Sequence, residues 1–167
     1  SSKSIAELSS HVIARLVRTN SRLKELNLKA NDLGASSAAT IMRGLAQTAS
    51  ITSLNLSGTK LGLVGLPADL NSFFTELSKL KSLKYLSLTN NDLADVPESL
   101  CRLVSLTTLQ LHGNRVVKLP MALGQLHGLR ELTLQGNRLS RLPASLTDCA
   151  QLELLDLRNN ALQLLPP

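Results

Sequence analysis

The stretch LTTLQLHGNRV at residues 106–116 is followed 23 residues later by LRELTLQGNRL at residues 129–139. Both carry Leu at their first, fourth and sixth positions, Asn at the ninth and an aliphatic residue at the eleventh. Outward from this pair the frame recurs as Leu152, Leu155, Leu157, Asn160, Leu162 on one side and Leu83, Leu86, Leu88, Asn91, Leu93 on the other. It recurs twice more toward the N-terminus, as Ile51, Leu54, Leu56, Thr59, Leu61 and as Leu23, Leu26, Leu28, Asn31, Leu33. The fourth and sixth positions are two residues apart, so on a strand both side chains point to one face while the residue between them points to the other. Six such strands imply one repeated packing unit rather than an irregular core.

This LxxLxLxxNxL pattern resembles the leucine-rich repeat family, and the resemblance runs through essentially the whole chain. It implies an α/β solenoid, a right-handed β-α superhelix with a concave parallel sheet of about six strands. It also implies that Asn31, Asn91, Asn114, Asn137 and Asn160 bond through their amides to loop backbone, forming a ladder along the solenoid. Thr59 interrupts that ladder, and its shorter hydroxyl predicts local looseness at the second repeat.

The first positions are separated by 28, 32, 23, 23 and 23 residues, which divides the chain into two styles of repeat. The first unit resembles the ribonuclease-inhibitor type, with Ile41, Met42 and Leu45 on one face of a convex helix. In the second, Leu70, Phe73, Phe74, Leu77 and Leu80 follow Pro67 at helical spacing, and the Phe pair reads as core. The later units carry Val96-Pro97, Leu119-Pro120 and Leu142-Pro143. They resemble the short type of intracellular Ras-pathway scaffolds, whose return segments have room for a single helical turn. Ahead of the first strand, Ser4 and Glu7 match a capping box, and Ile5, Leu8, Val12, Ile13, Leu16 and Val17 give an amphipathic helix. The expected organisation is one domain over 1–167, with a capping helix in 1–22, long repeats in 23–82 and short repeats in 83–167. The C-terminal end, Leu164-Leu165-Pro166-Pro167, lacks a polar cap, so the expectation is a truncated chain or self-association through that open end.

Composition agrees with a single soluble globular unit. Of 167 residues 43% are hydrophobic and 18% charged, aromatics make up only 2%, and forty are Leu, so aliphatic packing supplies the core. No apolar run approaches the roughly 20 residues needed to span a bilayer. Cys149 falls in the inward column of Leu103 and Leu126, whereas Cys101 lies two columns earlier and two repeats away, about 10 Å off and beyond disulfide reach. Two unpaired thiols and no Cys-rich end cap point to an intracellular, cytoplasmic location. Asn55-Leu56-Ser57 matches a glycosylation sequon only formally, since it lies in a strand.

The chain lacks a phosphate loop, HExxH, GxSxG and CxxC, and His11, His112 and His127 fall in different repeats. The expectation is therefore no catalysis, no metal and no cofactor. Binding is the remaining class, with two candidate surfaces. The concave face presents the residues flanking each LxL, among which Tyr85, His112, Gln135, Asp156 and Arg158, with Leu154, are the candidate anchors. The second is a rim on which Arg115, Lys118, Arg138 and Arg141 are expected to cluster beside Asp92 and Asp95, inviting an acidic or phosphorylated partner. Net charge is +6, but Arg15, Arg18, Arg22, Lys79, Lys81 and Lys84 are spread over helices and strand edges, which reads as solubility. The expected function is a protein-protein interaction module or adaptor of an intracellular signalling, regulatory or cytoskeletal complex. A small GTPase or phosphatase-type partner is what the resemblance allows. The alternatives are a basic nucleic-acid-associated protein, weakened by the single Tyr available for base stacking, and a structural spacer.

Overall fold

The computed structural model describes residues 5–63 and 67–163. The Ser4–Glu7 capping box and residues 164–167 lie outside what is described. The chain runs α1 (Ile5–Thr19), β1 (Glu25–Asn27), α2 (Gly34–Leu45), β2 (Ser53–Asn55), α3 (Pro67–Leu77), β3 (Tyr85–Ser87), β4 (Thr108–Gln110), β5 (Glu131–Thr133) and β6 (Leu154–Asp156). Three 3-10 turns, Glu98–Arg102, Met121–Gln125 and Ala144–Asp148, occupy the returns after β3, β4 and β5. The six strands form one parallel sheet in sequential order. The repeat frame sets its register: Leu26, Leu54, Leu86, Leu109, Leu132 and Leu155 lie side by side across all five pairings.

Return length decides the convex layer. The long repeats leave room for α2 and α3, and α1, α2 and α3 pack side by side. Ile41, Met42, Leu45, Phe73, Phe74 and Leu77 are all buried behind the sheet. The two Phe rings meet edge to face with centroids 5.0 Å apart, a core pair rather than a ligand box. In the short repeats Pro97, Pro120 and Pro143 stand extended immediately before the 3-10 turns. Their fixed φ suits the residue that turns the chain off the ascending segment. Leu100, Leu123 and Leu146 then drop into the core, followed by Leu103, Leu126 and Cys149 in one buried column.

One column of asparagines seals the repeats against each other. The Asn137 amide donates to the carbonyls of Leu111 and Leu134 at 3.0 and 2.9 Å, while its oxygen accepts from Val116 N–H at 3.0 Å. Asn114 does the same with the carbonyls of Leu88 and Leu111 and the N–H groups of Asn91 and Leu93, and Asn160 with the carbonyls of Leu134 and Leu157 and Leu139 N–H. Each Asn thus reaches back one repeat.

Two expectations change here. Thr59 is fully buried and tightly held: it donates to the Leu56 carbonyl at 2.8 Å, and both its hydroxyl and its N–H donate to Asn91 Oδ1. The weak joint therefore lies one step earlier, between the first and second repeats, because a threonine hydroxyl is too short to reach back to β1. Asn31 is the other correction to the ladder. It is exposed, and its amide donates only to the carbonyls of Leu28 and Lys29 in its own repeat.

The residue before each ladder position adopts a left-handed conformation in every repeat: Ala30, Gly58, Asn90, Gly113, Gly136 and Asn159 all have φ between 53° and 69°. Gly and Asn occupy that region at little cost, whereas Ala30 carries a Cβ there.

Candidate functional site

The concave face is built by the residues that alternate with the inward leucines, and in the second to fifth repeats they are short and polar. Asn55 and Ser57, Ser87 and Thr89, His112 and Thr133 join into a transverse hydrogen-bonded row. Ser57 Oγ lies 2.7 Å from both Asn55 Oδ1 and Ser87 Oγ, and Ser87 Oγ lies 3.1 Å from Thr89 Oγ1. His112 Nδ1 sits between Thr89 Oγ1 at 3.3 Å and Thr133 Oγ1 at 3.2 Å. A parallel row runs beside it: the Tyr85 hydroxyl donates to Gln110 Oε1 at 2.9 Å, and the Gln110 amide donates to Glu131 Oε1 at 3.1 Å. Strands in register about 4.8 Å apart bring equivalent positions into contact, so single-repeat choices become cross-strand pairs.

These rows border a shallow cavity of about 250 Å³, lined by Lys29, Asn55, Ser57, Tyr85, Ser87, Thr89, Asn90, Gln110 and His112. Of the anchors read from the sequence, Tyr85 and His112 meet at this cavity. Gln135, Asp156 and Arg158 form a separate group at the β6 side. There the Arg158 guanidinium grips Asp156 through two bonds, 2.9 Å to Oδ1 and 2.6 Å to Oδ2, and reaches Gln135 Oε1 at 3.5 Å. The hydrogen bond from Arg158 holds the Asp156 carboxyl well below the usual range, at about 2, and Asp156 in turn raises the Arg158 guanidinium. Leu154 is 47% exposed on the same strand.

The rim divides rather than clusters. Lys118 and Arg141 line an open groove of about 570 Å³ together with Asp95 and Glu98. Its floor is apolar, made by Val96, Leu119, Leu142 and the three prolines, with Met121 60% exposed beside it. Arg115 is not part of this groove, because its guanidinium turns to Asp92 Oδ1 at 2.6 Å. Arg138 does not line it either. The groove is thus acidic at one end and basic at the other. Sequence reasoning placed the charges in their columns, Asp95 then Lys118 then Arg141 in one of them, but missed the turn of Arg115 to Asp92 and away from the groove. It also missed Asn90, whose left-handed backbone carries it to the edge of the concave cavity.

Cys101 and Cys149 are buried and free. Burial, aided by Glu98 and Cys149, pushes the Cys101 thiol up to about 12, and burial with Asp148 raises Cys149. Both are poor nucleophiles in this setting. Among the described residues, no group of three His, Cys, Asp or Glu side chains is placed to hold a metal, and no helix is long and apolar enough to cross a membrane.

Comparison with known proteins agrees with this geometry. Sequence models of the leucine rich repeat match residues 71–116 and residues 128–149. No curated protein matches the chain in sequence. Among solved structures, a leucine-rich repeat protein of Leptospira interrogans superposes with a TM-score of 0.67 at 25% identity, over 88% of this chain. The chain spans 40% of the length of that protein. With the in-register leucines, the ladder and the parallel sheet, these matches give the chain a leucine-rich repeat fold, with leucine rich repeats matched in residues 71–116 and 128–149.

Proposed function

We propose that this chain is a non-catalytic protein-interaction module, an adaptor of an intracellular signalling, regulatory or cytoskeletal complex that holds its partner on the concave sheet. Leucine-rich repeat domains generally mediate protein-protein interaction. The observation that carries the reading for this chain is the prepositioned polar face: Tyr85 pinned by Gln110, and His112 pinned between two threonines, across a shared cavity. Side chains already fixed by cross-strand bonds lose little conformational freedom when a partner docks. Tyr85 supplies the large amphipathic surface typical of an interface anchor. Gln135, Asp156 and Arg158 extend the same face toward β6.

Lys118 and Arg141, with Arg115 and Arg138 nearby in the repeat frame, form the secondary contact for acidic or phosphorylated segments of the partner. A small GTPase or a phosphatase subunit fits that description. The two buried unpaired thiols support a reducing compartment, since neither is tied into a disulfide.

The test is affinity capture from extract with nuclease treatment, comparing the native chain with Tyr85→Ala/His112→Ala and with Lys118→Glu/Arg141→Glu. Loss of the captured protein from the concave variant, with capture resistant to nuclease, is the expected result. Capture abolished by nuclease would make the chain a nucleic-acid-associated protein. Capture untouched by the concave variant would move the interface off the sheet.

A further inference from the structure

A second charged feature lies on the opposite side of the molecule, between α1 and α2. Glycine sets it up: Gly44 faces α1 so closely that a Cβ there would lie 2.5 Å from the Ala14 carbonyl oxygen and 3.0 Å from Val17. That contact brings the two helices together along one line and leaves a cleft beside it of about 440 Å³. Its walls are His11, Ala14, Arg15 and Arg18 from α1, Thr40, Arg43 and Gly44 from α2, and Gln47 just past the end of α2. Residues 11, 15 and 18 fall on one face of a helix, so the sequence directs an imidazole and two guanidiniums into the same space.

No carboxylate is among the residues that wall this cleft. Outside the cleft, Arg115 pairs with Asp92, Arg130 with Glu153 and Arg158 with Asp156, and the unpaired arginines are not gathered from two helices into one space. Arg15 and Arg18 have no ion pair among the described residues. Arg43 only approaches Glu76, at 3.8 Å, and that carboxylate is already held by Lys79 at 2.8 Å. Three like-charged guanidiniums on two rigidly packed helices repel one another unless an anion sits between them. Guanidiniums from two sides, with the Gln47 amide on the same wall, suit the several oxygens of a phosphate group.

We propose that the α1–α2 cleft is a binding site for a multiply charged phosphate group, independent of the concave interface. Two sources can present such a group, a soluble polyphosphate and a phosphorylated lipid headgroup. The neighbouring row Leu8, Val12 and Leu16, each more than half exposed on the solvent side of α1, would meet the acyl boundary in the second case.

Titration calorimetry with pyrophosphate and inositol hexakisphosphate, at roughly physiological ionic strength, tests the site. The expected result is one-to-one binding, weakened about tenfold or more in Arg15→Gln/Arg43→Gln. Lys84→Gln/Arg102→Gln removes the same charge elsewhere and should stay within about twofold, as expected for charges outside the site. Thermal melting of both variants checks that each is folded; Arg15, Arg43, Lys84 and Arg102 are all exposed, so neither double change removes a core contact. Sedimentation with phosphatidylcholine vesicles containing phosphatidylinositol bisphosphate separates the sources. Co-sedimentation lost in Arg15→Gln/Arg43→Gln assigns the lipid headgroup, whereas calorimetric binding without co-sedimentation assigns a soluble anion. Equal weakening by both double variants, or no binding in either assay, would overturn the proposal.

Discussion

The two halves of this solenoid hold their repeats together by different means. In the first two repeats the cohesion is on the convex side, where α1, α2 and α3 bury Ile41, Met42, Phe73 and Phe74, while the amide ladder is missing at the first joint. In the last four, the 3-10 turns after β3, β4 and β5 replace helices, and Asn91, Asn114, Asn137 and Asn160 tie each loop to the one before. Strand pairing is common to both and continuous across the sheet. Apolar helix packing and polar ladder bonds are therefore interchangeable solutions to one problem, the sealing of a repeat against its neighbour.

That comparison breaks most sharply at its centres. Phe73→Ala should cost about 3–5 kcal/mol through the cavity it opens, measured as a fall in the urea midpoint. Hydrogen exchange should rise first in α2 and α3, since loss concentrated in β5 and β6 would mean the halves are not distinct. Asn114→Ala removes four ladder bonds and strands buried N–H and C=O groups, for a cost of about 2–4 kcal/mol, with exchange rising in the loops on both sides of β4. Asn31→Ala, lacking inter-repeat partners, should change stability by less than about 0.5 kcal/mol, like other exposed substitutions. Equal effects of the two Asn variants would refute the placement of the weak joint.

Gly113→Ala comes next, at about 1–3 kcal/mol. Its φ is +69°, and an added Cβ would run into the Asn90 side chain. The denaturation midpoint reads the loss, and a neutral result would mean that the loop carries no backbone constraint.

Much of this was legible in the sequence because the repeat is periodic. A strand register that is ordinarily ambiguous becomes fixed when every unit offers the same pair of leucines two residues apart. Return length likewise separated helices from single turns, and the spacing around Phe73 marked core. What periodicity does not report is how one repeat's side chains differ from the next. The ladder could be read from Asn identity, but its direction, reaching backward, decides which joint Thr59 weakens. The columns after the ladder predict one rim of four cations beside Asp92 and Asp95, because Arg115 and Lys118, like Arg138 and Arg141, stand three residues apart. Their columns face different neighbours, one Asp92 and the other the proline groove. The α1–α2 cleft was hidden for the opposite reason, since His11, Arg15 and Arg18 lie in a helix with no repeat frame and meet Arg43 only through packing.

One small effect has the opposite sign. Ala30 occupies the column held by Gly58, Gly113 and Gly136, with a φ of +59°, and it sits in the loop where the ladder is absent. Replacing it with Gly relieves a left-handed strain of about 1–2 kcal/mol but frees the unfolded chain by about 0.5–1 kcal/mol, leaving a net gain of about 0.5–1 kcal/mol. Ala30 N–H donates to Ser57 O at 2.8 Å, and a glycine can keep that bond. The expected result is a slightly raised midpoint in Ala30→Gly together with slower exchange at the first joint. Destabilisation instead would mean that Ala30 stiffens a loop which lacks its asparagine, so that the N-terminal half relies on backbone restriction as well as on helix packing.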